Sequence, residues 1–372
     1  MPIPHVDPMP VPAPLWLVRG LLLLTFGLHL LFMNTLLGGA VVAFACSLRR
    51  QSSQYAAQLA SDLAHMLPPV FAFTITLGVA PLLFLQVIYG QLLYASSILM
   101  AVPWLSIIGL VLCAYYAVYY FSLRGQRRPA AASIVLAVAV LLLAAVAFTY
   151  SNNFTLMLSP GRWLDLYAQS SAGWNLNLSE PTLLPRYLHF VLSAFAIAGL
   201  FLVVLGLKKR DTGYGRWLME EGSILFTFAT ILNYAVGFWF LVRLPAEVRA
   251  IFMGKNGIAT AALALGFVLP LAAIMHLVLI KAGQSAVRNS LIGLGSGAVT
   301  VFAMVVVRDA VRNAYLAPHF RPEQLKVAPQ WGVIGLFVVF FVLGLAVLGY
   351  MLAAVATADP AALTGAAMAG KR

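Results

Sequence analysis

The stretch Leu23-Leu24-Thr25-Phe26-Gly27-Leu28-His29-Leu30-Leu31-Phe32 sets one imidazole among aliphatic and aromatic side chains. It lies inside a run from residue 15 to about 46 that holds no acid and a single Arg or Lys, Arg19. A helix needs roughly 20 mostly apolar residues to cross the hydrocarbon core of a bilayer, so this run predicts a membrane span. Eight more such runs follow, at about 66–90, 97–122, 130–150, 188–207, 219–242, 256–280, 290–307 and 331–356. They are continuous rather than alternating with period two, which predicts helices and not a barrel. Apolar residues make up 62% of the chain and charged residues 9%, which excludes a pair of soluble domains at this length.

The expected fold class is therefore all-α, a polytopic membrane bundle of about nine transmembrane helices. Residues 1–14 are rich in proline and read as an extended arm. Residues 15–357 form the bundle, and the small-residue segment 358–372 forms a flexible tail. No basic segment precedes the first span, so a cleaved signal peptide is not expected.

Charge sets the expected orientation. One set of connections holds Arg49, Arg50, Arg124, Arg127, Arg128, Lys208, Lys209, Arg210, Arg216, Lys281, Arg288, Lys371 and Arg372. The opposite set is sparser and spread over longer loops. The denser set is expected at the cytoplasm, with the N-terminus outside and the C-terminus inside. Trp16, Trp163, Trp174, Trp239 and Trp331 then fall near the outer interface and Trp217 near the inner one. A net charge of +12 is explained by basic loops against anionic lipid and needs no nucleic acid. The outer loop from Ser151 to Arg186 has room for a short surface helix around Trp163 to Tyr167. The loop from Arg308 to Gln330 starts as a helical extension.

All eleven acids are expected in loops or at span ends. Proton-coupled transporters keep carboxylates at membrane depth, and no internal repeat is evident, so ion-coupled transport is disfavoured. Cys46 and Cys113 are the only cysteines, and no C-x-x-C-H motif is present, so no covalently attached haem is encoded.

Histidine carries the functional question. His29 lies roughly 20 Å into the first span at 1.5 Å per residue. It reads either as an interhelical hydrogen-bonding group or as an axial haem ligand. His189, in Pro185-Arg186-Tyr187-Leu188-His189, lies one turn inside the outer interface. It reads either as an interfacial histidine beside an anchoring arginine or as a haem ligand, with Arg186 then placed to hold a propionate. His276 reads as a core polar group, and His65 as a residue facing headgroups. His5 and His319 fall in loops.

The first ninety residues also carry a resemblance. Leu15-Trp16-Leu17-Val18-Arg19-Gly20 leads to His29 and a basic inner loop. Phe71-Ala72-Phe73-Thr74-Ile75-Thr76-Leu77-Gly78-Val79-Ala80 follows, then Leu85-Gln86-Val87-Ile88-Tyr89-Gly90. This pattern resembles the haem-bearing subunit I of the cytochrome bd ubiquinol oxidase family. The segment from Arg186 to Gly199 is similar to that family's fifth helix. The resemblance implies haem b ligated by His29 and His189, with Met253 as the second axial partner of His189. It implies Arg186, Arg308 and Arg312 as propionate partners. It also implies a bacterial inner membrane, a quinone pool and neighbouring membrane or c-type cytochrome subunits. Gln86, Tyr89 and Gln91 are candidates to line a quinone or haem pocket, beside a plainer role in polar packing.

The chain departs from that family at three places. The segment from Val242 to Gly257 is too short for the family's quinol-binding loop. The third span has no glutamate. Ala303-Met304-Val305-Val306-Val307-Arg308-Asp309 stands where the family has a haem-ligating glutamate. The expected function is haem b electron transfer between a quinone pool and an outer redox partner, without oxygen chemistry. A functional terminal quinol oxidase and a haem-free membrane anchor are the alternatives.

Overall fold

The computed structural model describes residues 10–281 and 285–357. Most of the proline-rich arm and the whole tail, with His5, Lys371 and Arg372, lie outside the described residues. Among the described residues the chain is all-α apart from one isolated parallel bridge, and nine helices are long and apolar enough to cross a membrane. It is a multi-pass helical membrane protein, and the helix faces turned outward are built for lipid.

The elements run α1 (Leu15–Leu48), α2 (Gln54–Leu99), α3 (Ala101–Arg124), α4 (Pro129–Met157), α5 (Trp163–Gln169), α6 (Leu183–Lys208) and α7 (Gly213–Arg243). Then come α8 (Ala246–Ala250), a π-turn at Ile251–Lys255, α9 (Gly257–Lys281), α10 (Ala286–Leu316) and α11 (Trp331–Thr357). Each expected span is present, and the short helix expected in the long outer loop is α5. Most helices overrun their expected bounds, and α2 and α10 do so by the most. α2 begins twelve residues before the expected start, with Ser53 accepting a hydrogen bond from the Ala56 amide at 3.2 Å as its N-cap. It carries Pro68, Pro69 and Pro81 inside the helix and kinks at Tyr89 (φ −120°, ψ 23°). Prolines are tolerated in spans because neighbouring helices satisfy the freed backbone groups. α10 runs to Leu316, so it takes Arg308, Asp309 and Arg312 into the helix.

The chain divides into two compact units. Residues 18–324 form the first. The second joins residues 10–17 to 325–357. There the Val11 amide donates to the Lys326 carbonyl at 2.8 Å, and the Ala328 amide donates to the Val11 carbonyl at 3.0 Å. Residues 11 and 12 are thus held by the segment leading into α11.

Within the first unit, connections at one end are short and basic. Lys209 pairs with Asp62 at 2.7 Å there, and Arg50 donates to the Gly125 carbonyl at 3.1 Å. The opposite end carries α5 and the π-turn. Below the basic end a core of Leu36, Leu63, Ala114, Leu136, Leu205 and Leu218 joins α1, α2, α3, α4, α6 and α7. α6 is the most enclosed span, with 56% of its apolar window buried. It meets α7 backbone to backbone, because a Cβ on Gly199 or Gly222 would come within 2.6 Å of the other's carbonyl oxygen. Toward the opposite end this close contact gives way to a cavity.

Candidate functional site

The cavity is enclosed by α1, α6, α7, α9 and α10. Its volume is about 250 Å³, and the void reaches about 1630 Å³ once the space at its open side is counted. One water needs only ~10–15 Å³ of cavity, so the space suits a molecule and not a lone solvent. Its wall is mostly apolar, with cations from α6 and α10 and a few uncharged polar side chains, among them Asn34 of α1 and Asn233 of α7.

Helix register explains the arrangement. Arg186, His189 and Ser193 are three or four residues apart on α6 and share one face. Arg308, Met304 and Thr300 do the same on α10. All six side chains line the cavity. Arg186 is buried, with its guanidinium over the Phe240 ring at 5.1 Å, and its Nε and Nη2 have no hydrogen-bond partner. The Arg308 guanidinium lies between the rings of Phe26 and Phe154, at 4.4 and 4.7 Å. Among the described residues neither arginine is in an ion pair. Aromatic faces supply part of what a cation needs, but buried charge in a span calls for an anion.

His189 turns its Nδ1 edge to α7, where Gly237 leaves room: a Cβ there would lie 3.5 Å from Nδ1. Nδ1 itself has no hydrogen-bond partner. The ring keeps part of its surface on the cavity and stands one turn below Arg186.

His29 sits elsewhere. Its Nδ1 donates to the Thr74 carbonyl of α2 at 3.1 Å, which leaves Nε2 as the nitrogen with a free lone pair. Gly78 makes the approach feasible, since a Cβ at that position would come within 2.8 Å of the imidazole. His29 does not line the cavity. The structure therefore brings together His189, Arg186 and Arg308, and sets His29 against α2.

Two expected partners fall outside the cavity. Met253 is in the π-turn with 63% of its surface exposed, and its neighbour Phe252 lines the wall in its place. The expected pairing of Met253 with His189 is not formed. Met304 supplies a thioether on the wall instead, under Gly266 of α9. Its position one turn before Arg308 was a readable signal. Arg312 is engaged in a separate cluster. Arg19 donates to Asp309 Oδ2 through Nε at 2.8 Å and through Nη2 at 2.5 Å, and Arg312 pairs with Asp309 Oδ1. Asn313 Nδ2 donates to Asp309 Oδ2 at 3.1 Å, and Asn313 Oδ1 accepts from the Tyr89 hydroxyl at 2.5 Å. The Arg312 guanidinium covers the Tyr89 ring at 4.3 Å. Asp309 is thus a buried acid within α10, where the sequence placed all acids in loops or at span ends.

No family model matches the chain, and no curated protein matches it.

His276 bonds Asn289 Oδ1 through Nδ1 at 3.1 Å, and His65 bonds the Ser61 carbonyl within its own helix at 2.7 Å. Both arrangements are those of polar packing groups. Among the described residues no three of His, Cys, Asp and Glu gather as metal ligands. A porphyrin iron needs fewer, since its ring supplies four nitrogens and the protein only the axial positions.

Proposed function

We propose that this chain is a haem b electron-transfer subunit of a bacterial inner membrane, a divergent relative of cytochrome bd oxidase subunit I. The observation that carries the reading is the cavity wall: a histidine with open surface stands one turn below the buried Arg186, on a wall that also holds Arg308, and neither arginine is in an ion pair among the described residues. The residues fit the group. His189 and the Met304 thioether are the residues that would hold the iron, and Arg186 and Arg308 would donate to the propionates. His29, with Nδ1 held by Thr74, is a candidate ligand for a second haem against α2. When bound, haem supplies a one-electron carrier at membrane depth. The protein's own residues orient it and exclude water, and the two arginines raise the local positive potential.

The reading extends to a quinone pool as one redox partner and to membrane or c-type cytochrome subunits as the other. The basic connections favour a cytoplasmic placement for that end, with the cavity mouth at the outer side. The test is a reduced-minus-oxidised difference spectrum of the purified chain. Haem b bands are expected in the native protein, and His189→Ala should remove at least one band set while the purified yield stays the same. A native protein without any Soret band sinks the proposal.

A further inference from the structure

The basic end of the first unit carries a second gathering of unpaired cations, away from the cavity. The turn between α3 and α4, Arg124-Gly125-Gln126-Arg127-Arg128, holds three arginines and no acid. Its backbone is tied. The Gly125 amide donates to the Phe121 carbonyl at 2.9 Å, and the Arg127 and Arg128 amides donate to the Arg124 carbonyl at 3.0 and 2.8 Å. Arg50, from the turn between α1 and α2, joins it, since its Nη1 donates to the Gly125 carbonyl at 3.1 Å. Gln126 is turned to α2, where its Nε2 donates to Ser61 Oγ at 3.0 Å. Four arginines are thus gathered at one tied turn, and none of them is in an ion pair among the described residues. The acid next along α2, Asp62, is occupied by Lys209 at 2.7 Å and by the Tyr214 hydroxyl at 3.0 Å.

α4 starts at the same place. Pro129 at its first position has no amide proton, and no side chain caps the helix over the exposed Ala130 and Ala131. The start of a long helix adds partial positive charge to the four arginines. Below the turn, α3 shows an outward stripe. Leu105, Ile108, Leu112, Tyr116, Tyr119 and Leu123 follow one another at three- and four-residue steps and are all exposed. The two tyrosines interrupt an otherwise aliphatic surface. Tyr119 is five residues before Arg124, roughly 8 Å along the helix. Its hydroxyl accepts from Tyr115 at 3.3 Å, so its own proton is left for an acceptor outside the chain. Hydrocarbon offers no acceptor, whereas the ester carbonyls of a lipid lie just below its phosphates.

We propose that this turn and the α3 stripe below it form a binding site for a phospholipid with two phosphates, the cardiolipin class. One diester phosphate carries a single negative charge, and one bidentate arginine suffices to hold it. Four arginines without an acid match two phosphates joined by a glycerol bridge. Tyr119 then donates to an ester carbonyl, and the acyl chains lie along Leu112 and Leu123. Such a site differs from the general attraction of basic connections for anionic lipid in being confined to one turn. Lipid binding here needs no haem, and protein without a Soret band tests it equally.

The test uses the full chain in detergent, stripped of lipid. The melting temperature is followed against tetraoleoyl cardiolipin, dioleoyl phosphatidylglycerol at matched phosphate, and inorganic pyrophosphate. A saturable rise with cardiolipin is expected, with phosphatidylglycerol weaker by about tenfold and pyrophosphate without effect. Arg127→Gln together with Arg128→Gln should weaken cardiolipin by about thirtyfold, the scale of two cations at the lipid surface. Arg210→Gln together with Arg216→Gln removes the same charge from the α6 to α7 connection and the first turn of α7, and should leave the affinity unchanged. Tyr119→Phe keeps every charge and should weaken cardiolipin several-fold, which covers the case where an arginine variant does not fold. Phosphatidylglycerol as effective as cardiolipin overturns the inference. So does an equal loss in the two double-arginine variants, since both outcomes describe diffuse charge. Pyrophosphate that matches the effect of cardiolipin would make this a site for a soluble anion and overturns it too.

Discussion

Arg308 and Arg312 stand one turn apart on α10, and each is grouped with an arginine from another helix in different surroundings. Arg312 and Arg19 share the carboxylate of Asp309, and Asn313 and Tyr89 complete the contacts of that cluster. The void beside it is about 10 Å³. Arg308, four residues before Arg312, borders that small void too, but it is in no ion pair among the described residues and faces the large cavity with Arg186. The first group closes on itself and reads as a structural tie between α1, α2 and α10. The second leaves charge and volume together, which is the arrangement of a site. Counting cations in the sequence does not separate the two. What separates them is the placement of one aspartate.

Removing that aspartate's charge should have the largest effect. Asp309→Asn leaves the buried Arg312 and the half-buried Arg19 without a counter-ion, and a loss of ~3–5 kcal/mol is expected for breaking the buried Arg312 pair. Thermal unfolding in detergent measures it. A variant as stable as the parent would mean that the two groups do not differ in charge balance. Arg186→Leu should act in the opposite direction on the ligand-free protein, raising its stability by roughly 1–3 kcal/mol as an unpartnered polar group is replaced. The same variant should retain less haem in the difference spectrum. A simple loss of stability would place Arg186 with the structural group. The smallest effect is expected for Tyr89→Phe, which removes one hydrogen bond to Asn313 at a cost of about 1 kcal/mol. Circular dichroism melts resolve such a change if the haem spectrum, as expected, does not move.

The spans were legible because a bilayer imposes a length and a composition that local sequence cannot hide. Residues such as Leu136 and Leu218 needed no partner to be placed in a helix. The errors came where polar residues lie inside helices. The helical extension from Arg308 to Arg312 was legible and α10 carries it on to Leu316, but the acid there lies buried inside the helix, where Arg19, Arg312 and Asn313 satisfy it. Arg19 and Asp309 are 290 residues apart, and a single sequence holds no sign of that pairing. At the cavity, His189, Arg186 and Arg308 were readable from their spacing and from a family pattern. Met253 was placed by analogy with that pattern and lies in an exposed π-turn. Asn34 and Asn233 went unremarked, since one amide in a span looks the same whether it faces a neighbour or a void.

The glycine contact between α6 and α7 bears on the cavity as well as on packing. Gly199 and Gly222 pin the two helices together on the basic side of the cavity, and Gly206 lies equally close to Gly215 nearer that end. Past these contacts the helices part around His189 and Gly237. The cavity therefore begins where the glycines end, and the closeness they allow between the two backbones sets how far apart Arg186 and Phe240 stand at its mouth.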